Sequence, residues 1–148
     1  DEEIEIDALI EEVLADLEPL AQEKDIRLTG KCDKVILIGS DILIYRLVYN
    51  LVENAIKYNI SGGTVTVTAT QRDKHIYLAV EDTGNGIPEE LKERIFEPFF
   101  RLDKSRSRAL GGVGLGLALV HEIVRVHDGS IFVKDNANSG TTFEVIFS

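Results

Sequence analysis

The apolar positions fall into periodic blocks. Ile6, Leu9, Ile10, Val13, Leu14 and Leu17 recur every three or four residues, the spacing of one helix face. This predicts an amphipathic helix over 7–23. Its acids lie mostly on the opposite face, as on a solvated surface helix. Short apolar runs at 26–29 and 35–38 predict two strands. Asp41 is placed as the N-cap or first-turn residue of a second helix running to about Tyr58. Leu43, Ile44, Leu47, Val48, Leu51, Val52 and Ala55 form its buried stripe.

After the turn Ser61-Gly62-Gly63 the period changes to two. Residues 64–70 alternate Thr with Val or Ala, and Arg72-Asp73-Lys74 separates them from 76–81. The pattern predicts a hairpin. Residues 82–86 read as a tight loop. Pro88 opens a short helix over 88–95, residues 97–112 form a long loop, and 114–127 a third helix. Strands at 130–134 and 142–147 close the chain around an Asn- and Gly-rich turn. Helices interleave with hairpins, and repeated strand-helix-strand crossovers are missing. The fold class expected is α+β: a two-layer sandwich with a mixed, mostly antiparallel sheet and helices packed on one face.

Composition adds limits. The chain has 148 residues, 44% hydrophobic and 28% charged, enough to bury a core and ordinary for one domain over 1–148. No apolar run is long enough to cross a membrane, and the start has no pattern of a secretory signal. The lack of any Met suggests a piece of a longer protein. Cys32 has no second cysteine to pair with, which fits a reducing cytoplasm.

The net charge of −10 is local: residues 1–25 hold eleven acids and one base, while the rest balances. A neutral body behind an acidic helix is a poor nucleic-acid binder. The exception is 101–108, with four bases against one acid.

Four segments carry polar and glycine residues that a core does not need. Asn50, Asn54 and Lys57 share a helix face at i, i+4 and i+7. Asparagine is poor in mid-helix, so these amides either bind something or are merely solvated. Asp82 ends an apolar strand before Gly84 and Gly86, which permit positive φ and close backbone approach. Its carboxylate can accept from an amino group such as that on adenine. Gly111, Gly112, Gly114 and Gly116 open a helix, where backbone N–H groups can cradle an anion. The alternative is a hinge with close helix packing. The fourth segment, Asn138-Ser-Gly140-Thr141-Thr142-Phe143, reads by itself as a hairpin turn.

In this order the segments resemble the catalytic ATP-binding domain of sensor histidine kinases, part of the wider group that includes DNA gyrase B, Hsp90 and MutL. Asn50-Leu-Val-Glu-Asn54-Ala-Ile-Lys57-Tyr58 resembles the N box. Asp82-Thr-Gly84-Asn-Gly86 resembles the first glycine box. Ile95-Phe96-Glu97-Pro98-Phe99-Phe100-Arg101 resembles the F box. Gly112-Val-Gly114-Leu-Gly116-Leu-Ala118 and Gly140-Thr141-Thr142-Phe143 resemble the second and third glycine boxes. The likeness runs over essentially the whole chain and implies the Bergerat-type ATP-binding fold.

The resemblance implies ATP and Mg²⁺ as cofactors. Asn54 would ligate the metal, Asn50 would support the metal and phosphates, and Lys57 would contact phosphate. Tyr58 would sit near the nucleotide. Asp82 would bind the adenine amino group, with Gly86 and Thr141 lining the base pocket. Gly84, Ile87, Phe100, Leu102, Val113, Leu115 and Leu117 would complete the nucleotide contacts. Gly112, Gly114 and Gly116 would let a lid and helix start reach the phosphates. Phe96, Phe99 and Phe100 would anchor that lid, and Arg101 could reach the γ-phosphate. Asn50, Asn54, Lys57 and Arg101 are the expected catalytic set.

Gyrase- and Hsp90-type ATPases carry a water-activating Glu where this chain has Asn50. An amide is no general base, so the resemblance implies ATP held for another acceptor. The F box points the same way. The acceptor would be a histidine on the parent kinase's dimerisation domain, with a response regulator downstream and a parent anchored in the cell membrane. The fragment would be monomeric and make no direct membrane contact. The alternatives are an anti-sigma-type serine kinase and a degenerate nucleotide-binding module. His121 lacks the Thr-Pro of a phosphoacceptor motif and reads as a surface residue, His75 lies near a hairpin turn, and His127 reads as a basic group suited to a helix C-terminus.

Overall fold

The computed structural model describes residues 1–97, 115–137 and 139–148. In chain order these form β1 (Glu2–Glu5), α1 (Ile6–Glu23), β2 (Arg27–Cys32), β3 (Ile36–Gly39), α2 (Asp41–Lys57), β4 (Thr64–Arg72) and β5 (His75–Asp82). Two 3₁₀ turns follow, Glu89–Leu91 and Arg94–Phe96. Then come α3 (Leu115–Val126), β6 (Ser130–Asp135) and β7 (Thr141–Phe147).

The main sheet has the order β2-β4-β5-β7-β6. Only β2 and β4 pair in parallel; the other neighbours are antiparallel. Strand alternation divides its two faces. Val65, Val67 and Ala69 of β4, Ile76, Leu78 and Val80 of β5, and Phe143, Val145 and Phe147 of β7 are buried. They meet the apolar stripes of the helices: Ile10, Val13 and Leu17 of α1, Leu47, Leu51 and Ala55 of α2, and Val120, Ile123 and Val124 of α3. Thr64, Thr66, Thr68 and Thr70 occupy the other, half-buried face of β4. The two-layer α+β expectation therefore holds.

One local expectation is narrowed, one changes, and one strand is new. Asp41 is the first-turn acid of α2, while Ser40 caps the helix, its hydroxyl accepting from the Leu43 N–H at 3.3 Å. Residues 88–95 are two 3₁₀ turns rather than one helix; Pro88 stands ahead of the first with extended ψ of 140°. The segment is too short to sustain a nucleated α-helix. Residues 2–5 form an unpredicted strand. Glu2–Glu5 pairs antiparallel with Ile36–Gly39 as a separate two-stranded sheet, with Ile4 turned into the core. The long loop expected at 97–112 falls outside the described residues from 98 onward. Among the described residues, no helix is long and apolar enough to cross a membrane.

Candidate functional site

Asp82 ends β5 almost fully buried, 8% exposed. Its Oδ1 accepts two backbone hydrogen bonds, from Gly84 N at 2.9 Å and Thr141 N at 3.1 Å. The carboxylate is thus fixed by one oxygen, and the described residues send no hydrogen bond to the other. Burial raises its pKa above the ordinary carboxylate value, and the two N–H donors partly offset this.

The turns around Asp82 are packed to backbone contact. A Cβ on Gly84 would lie 2.5 Å from the Tyr58 carbonyl oxygen, and one on Gly140 would lie 1.9 Å from the Asp82 carbonyl oxygen. Only glycine fits at either position. Gly86 takes a φ of +77° beside the Ser139 carbonyl. Thr141 is buried at the start of β7, and Ile87 packs against the core edge.

The end of α2 abuts this cluster. Asn50, Asn54, Lys57 and Tyr58 are all half-buried. Lys57 Nζ lies 3.9 Å from Glu53 Oε2, a loose pair one helical turn apart. Beyond the helix, Asn59 Nδ2 donates to Thr64 O at 3.0 Å, and the Thr83 hydroxyl donates to Asn59 Oδ1 at 3.1 Å. That hydroxyl also accepts from Thr64 N at 2.9 Å. These bonds clasp the amide-bearing helix to the Asp82 turn, so the first and second polar segments meet in space.

The third side of the cluster is the β6–β7 turn. Asn136 Nδ2 donates to Asp82 O at 2.9 Å, and Asn136 Oδ1 accepts from Gly140 N at 3.1 Å. Lys92 is 9% exposed and pairs with Glu89 at 2.7 Å and Asp135 at 3.0 Å. Its hydrogen bonds to Glu89 and then Asp135 raise its pKa. Asn59, Thr83, Lys92 and Asn136 were not singled out by sequence. The one signal that could have marked Asn136 was its place in an Asn- and Gly-rich turn.

Phe100, Arg101, Leu102, Gly112, Val113 and Gly114, and also Phe99, lie outside the described residues. Leu115 and Gly116 open α3, and Leu117 packs half-buried against the core. Phe96 meets Phe143 edge-on at 6.2 Å and the exposed His121 at 5.6 Å. His127 follows the end of α3, as expected, and also reaches α2. Its Nε2 accepts from Ser40 N at 3.1 Å, which leaves Nδ1 to donate to Ile123 O at 2.8 Å. The imidazole bridges the start of α2 and the last turn of α3. Among the described residues, no group of three or more His, Cys, Asp or Glu could hold a metal.

The profile of the histidine kinase-, DNA gyrase B-, and HSP90-like ATPases matches residues 39–148. The chain belongs to this family. Within it, the chain is 39% identical over 142 residues to the sensor-like histidine kinase SenX3 of Mycobacterium tuberculosis (strain H37Rv), covering 95% of this chain and 35% of that protein. The chain thus spans about a third of the curated relatives it matches first. The solved mycobacterial sensor histidine kinase MprB superimposes with a TM-score of 0.88 at 31% identity, over 99% of this chain and 97% of that one. The histidine kinase ThkA, solved in complex with the response regulator TrrA, gives 0.82 at 28%, over 99% and 41%. The fold is that of histidine kinase catalytic domains.

Proposed function

We propose that residues 1–148 act as one catalytic domain that binds ATP with Mg²⁺ and donates the γ-phosphoryl group to a histidine on a separate dimerisation domain. The observation that carries this reading is Asp82. Oδ1 is held by two backbone donors, which leaves Oδ2 as the acceptor for an adenine amino group. Gly84 and Gly140 keep side chains out of the surrounding turns.

The residues present fit Mg²⁺ held mainly by phosphate oxygens. Mg²⁺ retains several waters and takes few protein ligands. Asn54 would supply the amide oxygen. Bound Mg²⁺ would neutralise phosphate charge. Lys57 would move from its loose pair with Glu53 to a phosphate.

Asn50 favours transfer over hydrolysis, since an amide cannot activate water. In the transfer, the bond between the γ-phosphorus and the β,γ-bridging oxygen breaks and a phosphorus–nitrogen bond forms. ADP leaves, and the imidazole proton goes to an external base. The domain's share is binding and alignment. The parent protein would be a membrane-anchored sensor kinase passing the phosphoryl group to a response regulator, as the pairing of ThkA with TrrA suggests; this fragment would be a cytoplasmic monomer.

The test is phosphoryl transfer from γ-labelled ATP to the parent's helical dimerisation domain, supplied in trans. The expected product is acid-labile and base-stable, as a phosphohistidine is, and Asn54→Ala abolishes it. An acid-stable phosphoserine would favour the serine-kinase alternative. No transfer, with ATP still bound, would favour the nucleotide-binding module.

A further inference from the structure

We infer that Asn136 is a positioning residue for base recognition: it sets the orientation of the Asp82 carboxylate and so the preference for a 6-amino purine. The inference rests on the nucleotide-site reading above and deepens it. Asp82 is oriented by a donor that belongs to another strand, Thr141 N. The place of that donor depends on the 136–140 turn. Asn136 closes this turn from both sides. Its backbone N–H donates to Gly140 O at 3.3 Å and its Oδ1 accepts from Gly140 N at 3.1 Å. Its Nδ2 then docks the closed turn onto the Asp82 carbonyl at 2.9 Å.

The adjoining residue is anchored separately. Asp135 pairs with Lys92 at 3.0 Å, which ties the root of the turn to the Glu89–Leu91 segment. At the far end, Gly140 lies so close to the Asp82 carbonyl that no Cβ fits. Between these two anchors the Asn136 side chain supplies the tie to the Asp82 backbone. Thr141 is paired with Asp135 across β6 and β7, and Gly84 N also holds Oδ1, so loss of the Asn136 side chain would shift the Thr141 N–H and loosen the carboxylate rather than free either. Asn54 and Lys57 stand on α2, whereas the Asn136 side chain bonds the backbone of Asp82 and Gly140. Phosphate contacts should then survive while base contacts weaken.

The experiment compares ATP with purine riboside triphosphate, which lacks the 6-amino group, by calorimetry on the 148-residue chain. A site built to accept a hydrogen bond rejects a ligand that lacks the donor. The wild type should prefer ATP by about tenfold or more, the worth of one charge-assisted hydrogen bond. Asn136→Ala should weaken ATP about tenfold and leave the analogue unchanged, which erases the preference. Asn136→Asp keeps the acceptor for Gly140 and removes the donor to Asp82. It should act in the same direction and serves if the alanine variant does not fold. A purely structural role would lower the melting midpoint, or both affinities, with the ratio intact, and that result overturns the inference. A wild type that prefers neither ligand would instead overturn the reading of Asp82.

Discussion

The backbone N–H of Ser40 donates to Nε2 of His127 at 3.1 Å, joining the start of α2 to the residue that follows α3. The two lie 87 positions apart in the chain. Gly39 makes room for the ring: a Cβ there would come within 2.6 Å of the imidazole. His127 also sets its edge against Phe147 at 6.3 Å.

This contact predicts a coupled pair of substitutions. His127→Ala leaves the Ser40 N–H without its acceptor and should destabilise by about 1–3 kcal/mol. Gly39→Ala forces the ring aside and should cost about 1–3 kcal/mol by overpacking. The double variant should lose less than the sum, by about 0.5–3 kcal/mol, because the alanine at 39 no longer meets a ring. Urea unfolding of the four proteins measures this. Strict additivity would mean that the two residues do not share the contact.

On the proposed reading, Asp82 trades stability for recognition. Its folded-state pKa is raised, chiefly by burial. Its stabilising contribution is therefore full below the ordinary carboxylate pKa and is lost as pH rises through the raised value. Above the raised value the ionised group costs the fold stability. Asp82→Asn keeps an acceptor for Gly84 and Thr141 without the charge. Its melting midpoint at pH 7 should equal or exceed that of the wild type. The gap should close as pH falls through the raised value towards the ordinary one. ATP affinity should drop by about 1.5–3 kcal/mol, on the order of ten- to a hundredfold. A midpoint well below the wild type at pH 7 would contradict this.

Thr83→Val tests the clasp between α2 and the Asp82 turn. Valine keeps the shape but neither accepts from Thr64 N nor donates to Asn59 Oδ1. Leaving Thr64 N unsatisfied should destabilise by about 1–3 kcal/mol, and Thr83→Ser should restore most of it. Chemical denaturation distinguishes the two variants.

Much of the fold was legible because burial imposes a period. The stripe from Leu43 to Ala55 marked α2, and the Thr–Val alternation marked β4. Asp82 stood out as a carboxylate ending an apolar strand before glycines. Residues 2–5 carried no such mark, since Ile4 is the one buried position among exposed acids and the pairing with β3 supplies the strand. Pro88 suggested a helix start, but too few residues follow to keep one. The supporting side chains were not legible at all. Asn136 acts on a carbonyl 54 positions away and Thr83 on an amide 19 away. Such partners are set by strand register, which no local pattern records. His127 was legible as a helix-end group but not as a bridge, for the same reason: its acceptor role depends on Ser40, which only the tertiary fold brings near.

The claim that Asp82 and Asn54 belong to one ATP·Mg²⁺ site is tested most directly by calorimetric titration of the chain with ATP, in Mg²⁺ and then in EDTA. Saturable binding in the micromolar range, about −8 kcal/mol at 1 μM, is the predicted result. It should weaken in EDTA and should fall with Asp82→Ala, while Asn54→Ala should remove the dependence on metal. Full affinity and unchanged metal dependence in either variant, or no binding by the wild type in both conditions, would contradict the account.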